Sequence, residues 1–544
     1  MKNIINKCLI GCCLMAGATL FNSCGEDYLN TAPTESVGDQ IAMSDVSKAY
    51  KTLNGVAKTM TIQHNAYGGG FCGENAIMRL YESLPSQNYN FNRYASGWAP
   101  VHNQQMHTSR TAIYNHYAWY YYYQIITQAN VIISRIDQAA GGDADKKFIK
   151  ASALTFRAYG YEKLMHYFCP RWQDSQEGAA RAVPLRLDES TGDVAPSTMK
   201  EVYGQIYQDL DMAITLFGES GIDREDGNVW IPNLNVAHAI YARAALTRQD
   251  YQVALDHATL AQDKYPLMKN DAYGAGFCQP TSEWIFGSYG DSNENNWYWS
   301  FGVQGACNGY YAQTQDTGAG TIGRELINRI PDADFRKSIF LTESGLGINA
   351  NDTAQVDQTF GQIGKNDSLL RVQVRKYITA HAAKGLEAPY KNNYFELGAQ
   401  LKFYVIDQPG VGYIPFIRSS EMVLIEAEAN YFLGKTEAAQ AALVKLNASS
   451  ERNKGYTCNK TGQELFDEIK DYREVELWGE GHAWSDYKRW NLPVVRHSFA
   501  QGGNAHESVA ITIQPNEANN WVWETPIYET DFNGGYNING PTAP

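Results

Sequence analysis

Residues Val236–Pro266 read VAHAIYARAALTRQDYQVALDHATLAQDKYP. Ala242, Ala254, Ala258, Ala261 and Pro266 fall on the small-residue and proline positions of a tetratricopeptide-like helix-turn-helix unit. Small side chains at those points let two antiparallel helices approach closely, so the stretch predicts a helical hairpin. A looser copy follows at Ser419–Gly434 and Thr436–Leu446, around Ala427, Gly434 and Ala439. The two units are not in tandem. The expected fold is therefore mainly α: a tetratricopeptide-like hairpin scaffold broken by long insertions, not a continuous solenoid.

Other helices follow from spacing. Apolar residues recur at helical intervals from Ser44 through Val46, Tyr50, Leu53 and Val56. Thr111–Ile136 carries Ile113, Tyr117, Tyr121, Ile125, Ala129, Ile132 and Ile136 on one stripe. Phe148–Phe168 does the same and stops at Pro170. Pro196-Ser197 is read as the cap of a helix through Val202, Ile206, Leu210 and Ile214, with Glu201 as first-turn acid. A last helix spans Gly462–Trp478. Periodicity lapses in 65–110 and from about 270 to 400, where Gly, Asn, Tyr and Trp accumulate. Loops that long inside a folded body are usually functional.

The chain has 544 residues, with 44% hydrophobic and 19% charged, enough to bury a large core. Its net charge of −14 argues against nucleic acid as a partner. The 36 Tyr and 12 Trp are the anomaly; inter-helix packing is expected to absorb more than half of them. The start reads as an export signal: Lys2 and Lys7, then the apolar run Leu9–Phe21, too short to span a bilayer. It ends in Leu20-Phe21-Asn22-Ser23-Cys24, a lipobox-like sequence that makes Cys24 the expected acylation site and lipid the membrane tether. The expected layout is 1–23 signal, 24–44 tether, 45–270 helical region with aromatic loops, 271–400 irregular lobe and 401–544 C-terminal helical region. Cys72, Cys169, Cys278, Cys307 and Cys458 are scattered and odd in number, with no CxxC pair, so neither a disulfide framework nor a metal site is expected.

Several blocks, in order, resemble one family. They are Arg157-Ala158-Tyr159-Gly160-Tyr161 leading to Tyr167-Phe168-Cys169-Pro170, the stretch STMKEVYGQIYQDLDMAI from Ser197 to Ile214, and Ala237–Ala258. Ile414-Pro415-Phe416-Ile417-Arg418-Ser419-Ser420-Glu421 follows, then REVELWGEGHAWSDYKRW over Arg473–Trp490 and Thr525-Pro526-Ile527. Together with the lipobox and the acidic Gly25-Glu26-Asp27 after it, the set is similar to the SusD/RagB nutrient-binding lipoproteins of Bacteroidetes. The resemblance implies four tetratricopeptide-like hairpins under an irregular ligand-binding lobe. It also implies an outer-membrane location facing the exterior and a SusC-like TonB-dependent transporter as partner. The ligand it implies is an oligosaccharide or, in RagB-like members, a peptide, bound without catalysis.

A pyranose lays its C–H face on a flat ring while amides bond its hydroxyls. Tyr94 and Trp98 in the first loop segment, and Trp297, Trp299, Tyr310 and Tyr311 in the second, are the candidate rings; Gln304 and Asn308 are the candidate polar partners. Packing within the lobe competes with ligand contact for each. Asp291, Asn293 and Glu294 could offer oxygens to Ca²⁺, but their spacing is not an EF-hand loop and a solvated turn is the stronger reading, so no cofactor is expected. Gly68, Gly70, Gly73 and Gly318, Gly320, Gly323 match G-x-G-x-x-G without a preceding apolar strand and read as loop glycines. Arg473, Glu476, Glu480, His482, Asp486 and Arg489 look like acid–base machinery but read as ion pairs along a helix. Two rival readings remain: a helical glycoside hydrolase, which needs two carboxylates across the scissile bond, and an interaction scaffold using the hairpins themselves.

Overall fold

The computed structural model describes residues 39–67, 70–90, 95–106, 108–290, 301–314, 319–517 and 519–537. The expected lipidation site, Cys24, lies outside them.

The body is a set of helices: α1 (Val46–Thr59), α2 (Ile113–Arg135), α3 (Asp143–Phe168), α4 (Met199–Ser220), α5 (Leu234–Arg248), α6 (Tyr251–Ala261), α7 (Ser368–His381), α8 (Ser419–Phe432), α9 (Thr436–Val444), α10 (Gly462–Glu476) and α11 (Ala483–Trp490). Neighbours in sequence pack on each other as hairpins, α2 on α3, α3 on α4, α5 on α6 and α8 on α9, and α6 also packs on α8. The sequence-predicted hairpin is α5–α6, and Ala242, Ala254, Ala258 and Ala261 are all fully buried at its seam.

Helix α3 is the hub. It runs for 26 residues and buries side chains all round, so amphipathic spacing understates its role. Arg157 reaches from it to Asp209 of α4 through two bonds of 2.8 and 2.7 Å, and to Asn130 of α2 at 3.0 Å. Gly160 lets α2 come close: a Cβ there would stand 2.8 Å from the Ile126 side chain and 3.3 Å from the Tyr122 carbonyl. The tyrosine-rich face of α2 is core. The hydroxyls of Tyr117 and Tyr123 donate to the carbonyls of Gly73 and Pro184, and those of Tyr121 and Tyr122 to the Glu74 carboxylate. Each buried ring thus keeps its polar tip satisfied.

Two local readings are corrected. The cap of α4 is Thr198, not Ser197: its hydroxyl accepts from the Glu201 N–H while Glu201 bonds back to the Thr198 N–H, a capping box. The region 271–400, expected to be irregular, contains the 14-residue helix α7, whose first turn is held by the Asp367 carboxylate. Its apolar stripe is short (Leu370, Val374 and Ile378 are buried, Leu369 and Val372 exposed), which blurred the periodicity.

The strands described are short two-stranded antiparallel pairs: β1 (Tyr89–Asn90) with β5 (Thr321–Ile322), β2 (Arg181–Pro184) with β3 (Pro196–Thr198), β4 (Trp284–Gly287) with β6 (Pro415–Arg418), and β7 (Val494–Val495) with β8 (Thr512–Ile513). Among the described residues no helix is long and apolar enough to cross a membrane.

Candidate ligand-binding site

The β1–β5 ladder joins the two irregular segments that sequence reading set apart. Tyr89 pairs with Ile322 and Asn90 with Thr321, and the Gly323 N–H donates to the Asn88 carbonyl at 3.1 Å. The Tyr89 ring stacks on Trp478 at 4.8 Å and 17°, and the Trp478 indole N–H donates to the Asn88 carbonyl at 2.7 Å. The lobe is thereby clamped to the C-terminal end of α10. Gly320, in one of the two glycine patterns, has φ +90°, and a Cβ there would fall 2.5 Å from the Tyr89 ring. It is a packing glycine. Gly73, from the other pattern, sits at φ +49° against the Met60 carbonyl. Gly68 and Gly318 lie outside the described residues.

Arg79 is the centre that sequence reading missed. It lies on a π-helical turn, Ile77–Ser83, a local geometry frequent at functional sites. Its guanidinium stands 5.2 Å from the centroid of the Trp98 ring. Burial pulls its pKa down to about 10, while Tyr89, Tyr114 and Tyr311 lie close enough to act on its charge in the opposite sense. Trp98 from the first segment thus lies over a buried cation whose charge Tyr311, from the second, also influences. Both rings remain half-buried rather than enclosed, and Tyr310 is 37% exposed, edge-on to Tyr311 at 6.0 Å. The only sequence trace of Arg79 is a lone cation in the apolar run Ala76–Tyr81.

The polar partners fare differently. Asn308 is buried, and its amide pairs with both backbone groups of Val405, accepting at 2.8 Å and donating at 3.0 Å. Gln304 is also buried. The Asn308 amide thus ties the segment to Val405. Tyr94, Trp297, Trp299 and the acidic trio Asp291, Asn293 and Glu294 lie outside the described residues.

The charged cluster of Arg473–Arg489 is structural but not in the way its spacing suggested. Only Asp486–Arg489 is a near-neighbour pair, at 2.9 Å. Glu476 and Glu480 instead point into a buried network. Arg418 reaches Glu283 at 2.5 Å, Glu480 at 2.7 Å and Glu476 at 3.2 Å; Arg336 and Arg452 also face Glu476, at 3.0 and 3.7 Å, and Lys402 bonds Glu480 at 2.6 Å. Burial alone would raise the Glu476 pKa, but Arg452, Arg418, Arg336 and Lys402 outweigh it and hold the carboxyl well below the usual range. Every member is at most 3% exposed at the side chain, so no substrate reaches it. A second link, Arg243 to Glu421 at 2.5 Å, ties α5 to α8.

Burial pushes the thiols of Cys72, Cys169, Cys278 and Cys307 up, away from reactivity. Among the described residues no three His, Cys, Asp or Glu side chains converge on a metal-sized position.

The chain is thus a helical-hairpin scaffold carrying a loop-built lobe, with the half-buried Trp98 ring over a buried arginine. The sequence comparisons give it a family. One family profile, described as starch-binding and associating with the outer membrane, matches residues 41–246, and the SusD family profile matches residues 264–537; the chain belongs to the SusD family. A SusD-like carbohydrate binding protein from Bacteroides vulgatus ATCC 8482 is 20% identical, with a TM-score of 0.71 over 92% of this chain and 98% of that one. A putative sugar binding protein from the same organism has a TM-score of 0.67 at 20% identity, covering 92% and 100%. A SusD superfamily protein from Bacteroides thetaiotaomicron VPI-5482 has 0.64 at 20%, covering 91% and 99%. At such identity these structures speak to the fold. No curated protein matches significantly.

Proposed function

We propose that this protein binds nutrient oligomers, foremost oligosaccharides, at the cell surface and passes them unchanged to a SusC-like TonB-dependent transporter. In this reading Cys24 carries the lipid that tethers the chain to the outer membrane, facing outwards. Membership of the SusD family supports it, as do the relatives described as carbohydrate or sugar binding. The observation that carries it is the half-buried Trp98 ring over the Arg79 guanidinium, together with exposed Tyr310, edge-on to Tyr311, in the other loop segment. Flat faces backed by a fixed cation suit a pyranose whose apolar side stacks while its hydroxyls meet polar groups. Tyr94, Trp297 and Trp299 belong to the same proposed surface. The buried pairing of the charged cluster supports binding without turnover.

The test is a glycan and peptide array on the purified ectodomain, followed by calorimetry on each hit. Trp98→Ala and Tyr310→Ala should each weaken binding by about 1–3 kcal/mol, the scale of one ring stacked on a flat ligand, and leave transporter association intact. Turnover of a bound saccharide, or full affinity in both variants, would overturn the proposal. Hits confined to peptides would move it to RagB-like uptake.

A further inference from the structure

The C-terminal residues build a cleft against the end of α3 that none of Trp98, Tyr310 and Tyr311 lines. It has a volume of about 950 Å³, and its walls are Phe168, Arg171 and Arg181 on one side and Arg110 with residues 522–536 on the other. That is the upper end of the roughly 300–1,000 Å³ that ligand clefts occupy. Backbone bonds hold the walls together. The Trp523 N–H donates to the Tyr167 carbonyl at 2.8 Å and the Ile527 N–H to the Arg110 carbonyl at 3.0 Å, while the Asn115 amide donates to the Glu524 carbonyl at 3.1 Å.

We infer that this cleft binds the acidic group of an anionic oligosaccharide, a sugar-borne carboxylate or sulfate ester, through Arg110 and Arg181. Three arginines, Arg110, Arg171 and Arg181, line it against two carboxylates, Asp174 and Glu524, so the cleft is net positive in a chain of net charge −14. Arg171 is already neutralised by Asp174, through two bonds of 2.8 and 2.9 Å. The hydrogen bonds of the other two go to uncharged groups. Arg181 donates from Nη2 to the Tyr536 carbonyl at 2.8 Å and lies 4.0 Å from the centroid of the Tyr536 ring, which fixes the plane of its guanidinium. Arg110 donates from Nε to the Thr525 carbonyl at 3.2 Å and from Nη2 to the Thr530 hydroxyl. The neighbouring Glu529 carboxylate is taken up by the Trp119 indole at 3.2 Å and the Asn533 amide at 2.7 Å. Each guanidinium has five N–H groups, so both keep donors for the paired oxygens of an acid.

Two cations held in place before the ligand arrives suit an oxyanion, because the arginine fork matches carboxylate and sulfate oxygens alike. The rim adds the exposed amides of Asn491 and Asn516, which suit the hydroxyls of a sugar. The choice of a sugar over an acidic peptide rests on that rim and on the proposed function above; the choice of an acid rests on the arginines alone.

The test titrates the ectodomain by calorimetry with tetragalacturonic acid, its neutral methyl ester and a sulfated galactose tetramer. The expected result is binding of at least one acidic probe, weakened by salt and by about tenfold or more in Arg110→Gln and in Arg181→Gln, with helical circular dichroism and any affinity for the ester unchanged. The carboxylate and sulfate probes tell the two acids apart. Arg110 is exposed, so its variant reads the site even where Arg181→Gln disturbs folding. Wild type binding neither acidic probe, equal binding by wild type and Arg110→Gln/Arg181→Gln, or a glutamate oligomer bound in preference to both sugars would overturn the inference. So would acid binding lost in Trp98→Ala but kept in the double arginine variant, which would place the acid in the lobe and leave the proposed function standing. Arginine-dependent acid binding that survives Trp98→Ala, in a chain with no neutral glycan hit, would count against the proposed lobe site and not against the cleft.

Discussion

Replacing Arg418 with Met removes the guanidinium that binds Glu283, Glu476 and Glu480 together. The network balances: the cations Arg336, Lys402, Arg418 and Arg452 face the anions Glu283, Glu476, Glu480 and Asp334, four against four. Removing one cation leaves a carboxylate uncompensated where no side chain is more than 3% exposed. Breaking a buried pair in this way costs about 3–5 kcal/mol, a large share of the roughly 5–15 kcal/mol that holds a typical fold. The cost should depend on pH. The folded-state pKa of Glu476 is depressed, so its contribution is present above its unfolded value of 4.5 and lost as pH falls. Without Arg418 the Glu476 carboxyl loses one of the cations that hold it down and protonates more readily, so the difference between variant and wild type should shrink from pH 8 towards pH 4. Urea unfolding at both pH values measures it, and Glu480→Gln in the Arg418→Met background should recover part of the loss by restoring neutrality. A cost below about 1 kcal/mol, equal at both pH values, would refute the account of a dry, balanced network.

Two further outcomes follow from local features. Thr198→Ala removes the hydroxyl of the α4 capping box and should cost about 1 kcal/mol in urea unfolding. Burial raises Glu162 to about 7, so the neutral carboxyl favours the fold at low pH and that advantage is lost as pH rises from 4.5 through 7. Glu162→Gln should flatten the stability profile across that window, and an unchanged slope would assign it to other groups.

Most of the scaffold was legible in the chain because helices are local. The small-residue seam of Ala242, Ala254, Ala258 and Ala261 announces a close hairpin, and the stripe from Ile113 to Ile136 announces α2, since 3.6-residue periodicity survives in one dimension. Helix α3 was legible in existence but not in role, because burial on every side erases the polar face that marks orientation. Helix α7 escaped because its buried stripe is only three residues long.

The order of family blocks, the lipobox-like start and the aromatic loops were likewise written in the residues themselves. What tertiary structure alone decided is which distant groups meet. Tyr89 pairs with Ile322 and Arg79 lies under Trp98; Arg418 draws in Glu283, Glu476 and Glu480, and His238 faces His257. The physical reason is that charges and rings act over a few ångströms of space, with no period along the chain to betray their partners. Spacing suggested that Arg473 and Glu476 pair along one helix; folding sent Arg473 to Asp486 and Glu476 to Arg418, because a buried charge goes to the partner that leaves no charge unpaired in the dry interior.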